Sequence, residues 1–197
     1  MKKTLLTLFA AMAFIASCTA PAGNNETGTA DAVENTIMER RSIRKYTDQA
    51  VERELLDQIL KCGINAPNGQ GRQAYEVRVV DSPALLKEMS DAAGGTLFFN
   101  APCVVFIAND TSYDMSQVDC GLLGENIILS AWSHGIGSCC LARPVRQMKT
   151  AEACRPYIER MGFSDGYELL YCISLGYPDE APAAKPRKTE KVQFVEP

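Results

Sequence analysis

"MERRSIRKY", Met38–Tyr46, places the four cationic side chains of Arg40, Arg41, Arg44 and Lys45 in one short stretch of a chain whose formal charge is −4. A run of charge is usually a solvated helix face. Such a face gains nothing from Ser42 between the arginines. An anion site does, because arginine offers a planar fork of donors and serine a short hydroxyl for phosphate oxygens. The rest of the chain must therefore be searched for a phosphate-bearing ligand.

With 197 residues, 46% of them hydrophobic, the chain has material for one domain with a sizeable core. Its negative balance argues against a nucleic-acid partner, which requires a basic face. The N-terminus reads as a targeting segment. In "MKKTLLTLFAAMAFIASC", Lys2 and Lys3 precede an apolar run from Leu5 to Ala16 that is too short to span a bilayer. The ending Ile15-Ala16-Ser17-Cys18 resembles a bacterial lipoprotein signal, in which cleavage before Cys18 leaves that residue lipidated. The alternative is an ordinary secretory signal cleaved near Ala20 or Ala22. Residues 19–33, "TAPAGNNETGTADAV", are small and polar and read as a flexible tether. The expected organisation is a signal peptide over 1–17, a tether over 18–33 and a folded domain over 34–197, starting near Glu34. The expected location is the cell envelope, with the lipid as the only membrane contact.

Seven cysteines follow Cys18: Cys62, Cys103, Cys120, Cys139, Cys140, Cys154 and Cys172. They contain no C-x-x-C pair and the one histidine is not at ligand spacing, which disfavours a zinc site. Several lie in apolar runs, where a free thiol behaves as a small core residue. Mostly buried thiols are expected.

Periodicity predicts a helix over Val51–Ile64 with Leu55, Leu56, Ile59, Leu60 and Ile64 on one face. The loop "APNGQGRQ" follows. A strand is expected at Tyr75–Asp81, then a helix capped by Ser82 and opened by Pro83. Cys103–Ala108 reads as a buried strand, and Met115–His134 as the longest helix with Val118, Leu122, Ile127, Leu129 and Trp132 inward. "GIGSCCLA" is a glycine turn into a short extended piece. The next stretch is helical, broken or offset at Pro156, and "YELLYCISLGYP" is the last strong strand. The tail is rich in proline and lysine, with an extended piece at Val192–Val195. Mixed elements without regular β-α-β alternation or a glycine-rich first turn favour α+β over a doubly wound fold.

Four stretches then fall in a telling order: "RRSIRKY" after a short first helix, "APNGQGRQ" after the second, "HGIGSCCLA" after the long central helix, and "LGYPDEAPAAKPRK" after the last core strand. This ordered set resembles the nitroreductase-like flavoprotein family, from about Glu34 to Lys188. The resemblance implies a central, mostly antiparallel sheet flanked by helices, and a domain-swapped homodimer with FMN at the interface. It implies that Arg40 and Ser42 take the phosphate, with Arg41 beside the ribityl chain and Lys185 and Arg187 closing over it. The charge demands this convergence, since a phosphate monoester carries about two negative charges near neutral pH. Arg44 would sit over the ring, where fixed positive charge favours the anionic reduced flavin. Pro67, Asn68, Gly69 and Gln73 would reach the partner's flavin. The stretch from Cys139 and Cys140 through Leu141 and Ala142 to Arg143 would offer backbone N–H groups to flavin N5 and O4, and Asn100 is a further candidate for the ring edge. The chain departs from the family at "GQGRQAY", which lacks the usual Asn before the Arg-Gln pair and Pro-Trp after it.

The implied function is an FMN-dependent oxidoreductase that passes hydride from a small-molecule donor, NAD(P)H or another reductant, to a nitroaromatic, quinone or similar acceptor. The flavin carries the chemistry and no side chain is required as a catalyst. The alternatives are another flavin chemistry on the same fold, such as reductive dehalogenation or flavin destruction, and a non-catalytic, membrane-tethered flavin or small-ligand binding protein. "AWSHG", Ala131–Gly135, loosely matches a hydrolase nucleophile elbow. The lone histidine, His134, adjoins Ser133 and cannot act as its base, so the hydrolase reading fails and His134 reads as a helix-end residue.

Overall fold

The computed structural model describes residues 27–197. The expected signal segment, Cys18 and most of the tether lie outside the described residues.

The apolar run "CVVFIA" becomes β2 (Cys103–Asp110), and its alternation feeds two cores. Cys103, Val105 and Ile107 pack into one cluster, Val104 and Phe106 into the other. A strand buried on both faces requires cover on both. Helices α2 (Arg53–Ile64) and α4 (Ser116–Ser133) cover the first face; α3 (Pro83–Ala92), α5 (Arg143–Thr150) and α6 (Arg155–Met161) cover the second. The sheet is completed by β1 (Tyr75–Val80), β3 (Gly137–Leu141) and β4 (Tyr167–Gly176), in the order β1-β2-β4-β3 with every neighbour antiparallel. The architecture is the expected α+β arrangement.

Local signals act as anticipated at several boundaries. Ser82 caps α3 by accepting a hydrogen bond from the Leu85 amide at 3.4 Å, with Pro83 in the first turn. Pro156 starts a separate helix: α5 ends at Thr150, a 3₁₀ turn spans Glu152–Cys154, and α6 begins at Arg155. His134 is the residue that closes α4. Five of the seven described thiols are buried, while Cys62 and Cys140 are exposed.

The inward face of α4 differs from the expected one. The buried set is Ser116, Asp119, Cys120, Leu123, Gly124, Ile127, Ile128 and Ala131. Val118 and Leu122 are exposed, and Leu129 and Trp132 are half-buried. The helix is apolar on both sides, so periodicity alone could not choose between them. Close approach decides. Gly63 of α2 sits where an added Cβ would lie 2.5 Å from Ile127 Cγ1, so small residues draw α2 onto this side of α4. Ile64 is likewise exposed rather than on the inner face of α2.

Helix α1 (Thr27–Glu39) starts ahead of the expected boundary at Glu34 and takes in the last residues assigned to the tether. Ala30, Ala32 and Glu34 are good helix formers. Apolar residues enter only from Val33, so no stripe marks the first turn in the sequence.

Candidate functional site

After α1 the chain runs along the free edge of β3. Ser42 bridges Ser138 in parallel, and the Ile43 amide donates to the Ser138 carbonyl at 2.9 Å. Ile43 faces inward and is 1% exposed. It seats against Gly137, where an added Cβ would lie 2.8 Å from Ile43 Cγ1. Burying this side chain contributes about 1.5–3 kcal/mol. That is why an isoleucine interrupts the cations: it fastens the stretch to the sheet and leaves Ser42 and Arg44 on the outer side.

Tyr46 completes the attachment. Its hydroxyl donates to the Ile43 carbonyl at 2.6 Å and lies 2.8 Å from Ser174 Oγ. Burial pushes the phenol well above its usual range, so it remains a neutral donor. Tyr46 also bridges Pro178, the Thr47 amide donates to the Tyr177 carbonyl at 3.0 Å, and the Asp179 amide to the Lys45 carbonyl at 2.9 Å. The Glu180 carboxylate accepts from the Arg44 amide. These links carry the C-terminal tail back across the first stretch.

The result is a cleft lined by Arg40, Arg41, Ser42, Arg44, Pro182, Ala183, Lys185 and Arg187. Residues more than 140 positions apart in the chain thus meet around one space. None of the five ion pairs among the described residues includes any of these cations. Among the described residues, Arg40 Nε is buried without a partner, and so is Ser138 Oγ on β3. An unpartnered buried donor is costly, and a bound anion would satisfy it. Arg41 is partly committed, donating to the Met38 carbonyl at 2.7 Å and the Arg40 carbonyl at 2.9 Å.

Cys139 is buried close to Ser42 and Arg44. Burial raises its thiol pKa, and the nearby Arg44 charge only partly offsets this. Its environment is that of a packed thiol rather than a reactive one. Cys140 and Leu141 follow it to the end of β3, and Ala142 is the N-cap residue of α5.

Two expected groups are elsewhere within one chain. Pro67, Asn68, Gly69 and Gln73 lie in the loop before β1, at the opposite edge of the sheet from β3. There the Gly69 amide donates to Asp119 Oδ1 at 2.9 Å, and the Gln73 amide to Asn68 Oδ1 at 2.9 Å. Asn100 lines a separate cavity with Asp48, Lys87 and Phe98. Ile43, Tyr46, Gly137 and Ser138 were missed in the sequence. Only the apolar residue inside the charge run signalled any of them.

The nitroreductase family profile matches residues 37–98 and 91–177. The chain belongs to the nitroreductase family. It is 33% identical over 150 residues to an Archaeoglobus fulgidus protein provisionally named NADH dehydrogenase/NAD(P)H nitroreductase, covering 73% of this chain and 84% of that one. Among solved structures it is similar to an FMN-bound nitroreductase from Desulfitobacterium hafniense, with 29% identity, a TM-score of 0.77, and coverage of 84% and 98%. An FMN-dependent nitroreductase from Clostridium difficile shares 33% identity at a TM-score of 0.71, with coverage of 83% and 99%.

Proposed function

We propose that this chain is an FMN-dependent oxidoreductase, passing hydride from a reduced donor such as NAD(P)H to a nitroaromatic, quinone or similar acceptor. One observation carries the reading: Arg40, Arg41, Arg44, Lys185 and Arg187 converge on one cleft, and among the described residues no side-chain ion pair engages any of these cations. The nearby Glu180 carboxylate is bonded to the Arg44 backbone amide instead. The donor set fits a phosphate monoester. Arg40, Ser42, Lys185 and Arg187 would hold the phosphate, and Arg41 the ribityl chain. Bound FMN would supply hydride transfer. Arg44 would favour negative charge at the pyrimidine end of the flavin, and the backbone from Cys139 to Leu141 on β3, continuing through Ala142 into Arg143, would face the ring edge. The relatives, a protein named as a nitroreductase and two FMN nitroreductases of known structure, agree with this chemistry.

The working form is a homodimer. In the single chain, α4 and its N-cap residue leave Val118, Leu122 and Met115 exposed, and α1 leaves Val33, Ile37 and Met38. A second copy would cover these apolar faces. It would also give the far-edge loop, with Pro67, Asn68, Gly69 and Gln73, a flavin to contact.

Export as a lipoprotein is part of the same proposal, with Cys18 as the acylated residue in the cell envelope. Lys2, Lys3, the short apolar run and the Ile-Ala-Ser-Cys ending support it. Export separates the domain from cytoplasmic NAD(P)H, so the donor must be measured. Purified protein should bind FMN, and NADH or NADPH should bleach the oxidised flavin band without oxygen. Failure to bind FMN overturns the reading; bound flavin that neither nucleotide bleaches points to another donor or to a non-catalytic binder.

A further inference from the structure

Beside the cradle, the loop between α3 and β2 and the first turn of α5 enclose a second cavity of about 280 Å³. Leu97, Phe99, Leu141 and Pro144 give it apolar walls, with Arg143 and Gln147 as the larger polar side chains. Gln147 is already committed: its Nε2 donates to the Ala93 carbonyl at 2.9 Å and ties α5 to the rim. Arg143 carries the only formal charge among the lining residues, and no ion pair among the described residues involves it.

The cavity adjoins the candidate flavin site at two points. Leu141, which ends β3, belongs both to its wall and to the segment read against the ring edge. Phe99 lies with its ring centroid 6.0 Å from the Arg44 guanidinium carbon. Phe99 holds a left-handed backbone, φ +55°. A bulky residue adopts that conformation only at a cost, and such strain concentrates at ligand sites.

Size and charge narrow the occupant. Small-molecule pockets run from about 300 to 1,000 Å³, so this one takes a single ring system and not a whole dinucleotide. Apolar walls suit a planar aromatic body. An unpaired guanidinium on such a wall suits a carboxylate, which it can grip through two parallel hydrogen bonds.

Resting on the flavin reading above, we infer that this cavity is the acceptor subsite and that Arg143 selects planar aromatic acceptors bearing a carboxylate. Reduction of such a nitro compound takes one hydride equivalent from the donor and one proton from solvent, and releases a nitroso group and water.

The test compares 4-nitrobenzoate with the neutral 4-nitrobenzamide, using the FMN-loaded enzyme and whichever donor reduces it. Wild type should favour the carboxylate in kcat/KM. Arg143→Gln, which keeps the backbone amide, should cut that preference by about tenfold, through KM, as expected for loss of a charge-assisted contact. Arg143→Lys should restore part of it. FMN affinity, read from flavin fluorescence, separates the two levels of argument. Bound flavin with equal turnover of both acceptors, or a preference that survives in Arg143→Gln, overturns the inference and leaves the functional reading standing. Loss of FMN affinity in Arg143→Gln assigns the guanidinium to the cofactor and also overturns it. A wild-type protein that binds no FMN sinks both.

Discussion

Removing Arg40 should separate FMN from riboflavin, because the two ligands differ only in the phosphate that the cradle is read to hold. The Arg40 side chain is half-buried, and its Nε is shielded from water with no partner among the described residues. A hydrogen bond to a charged group contributes about 1.5–3 kcal/mol, and the shielding places Arg40 toward the upper end. Arg40→Ala should then weaken FMN roughly 100-fold. Arg187 is exposed, and solvent and salt screen it, so Arg187→Ala should cost about tenfold or less. The two substitutions share one phosphate, so their effects in the double variant should not simply add. Riboflavin should be nearly indifferent to both. The assay is fluorescence titration of apoprotein with each flavin, repeated in rising salt and across pH. FMN affinity should fall in salt, and as pH drops through about 6, where the phosphate loses its second charge. Riboflavin should show neither trend. Equal losses for the two ligands would refute the cradle and the reasoning from unpaired charge.

Gly137→Ala would drive a methyl group into Ile43 and lift the cationic stretch from β3. Overpacking of this kind costs about 1–3 kcal/mol, so thermal unfolding should shift down and FMN affinity fall with it; unchanged affinity would break the link between seat and cradle. Leu122→Arg places a charge on the exposed face of α4 without touching the buried set, so sedimentation should show a monomer with the fold retained. A dimer of wild-type stability would mean that α4 is not the contact. Burial pushes the Cys103 and Cys120 thiols up to about 12, and raises Cys172 as well. At pH 8 these remain protonated and should resist a thiol reagent, while the exposed Cys62 reacts. Cys140 is exposed but burial of its sulfur raises its thiol too, so it should react more slowly than Cys62. FMN should slow Cys140 further and leave Cys62 unchanged, as read by peptide mass mapping. Cys18→Ser should abolish fatty-acid incorporation and release the domain from the membrane fraction with FMN binding intact; a wild type that never incorporates label would remove the lipoprotein assignment.

Residue types in order along the chain were enough for the α+β class, the element order and the cationic stretches at both ends, because each has a local physical cause. Alternation in "YEVRVV", the Ser82–Pro83 start and the glycine turn after His134 act over a few residues and survive any tertiary context. The donor types of Arg40, Ser42, Lys185 and Arg187, on which the proposed phosphate site rests, were also legible in the sequence. Their meeting was not. It depends on Ile43 seated against Gly137, on Tyr46 bonded to the Ile43 carbonyl, and on residues 177–180 pairing back onto 44–47. None of these contacts has a sequence period. The same holds for α4, where two apolar stripes were equally plausible cores and the small Gly63 of a different helix determined which one was buried. Periodicity reports that a face is apolar; only packing determines whether that face meets this chain's core or is left for a second copy.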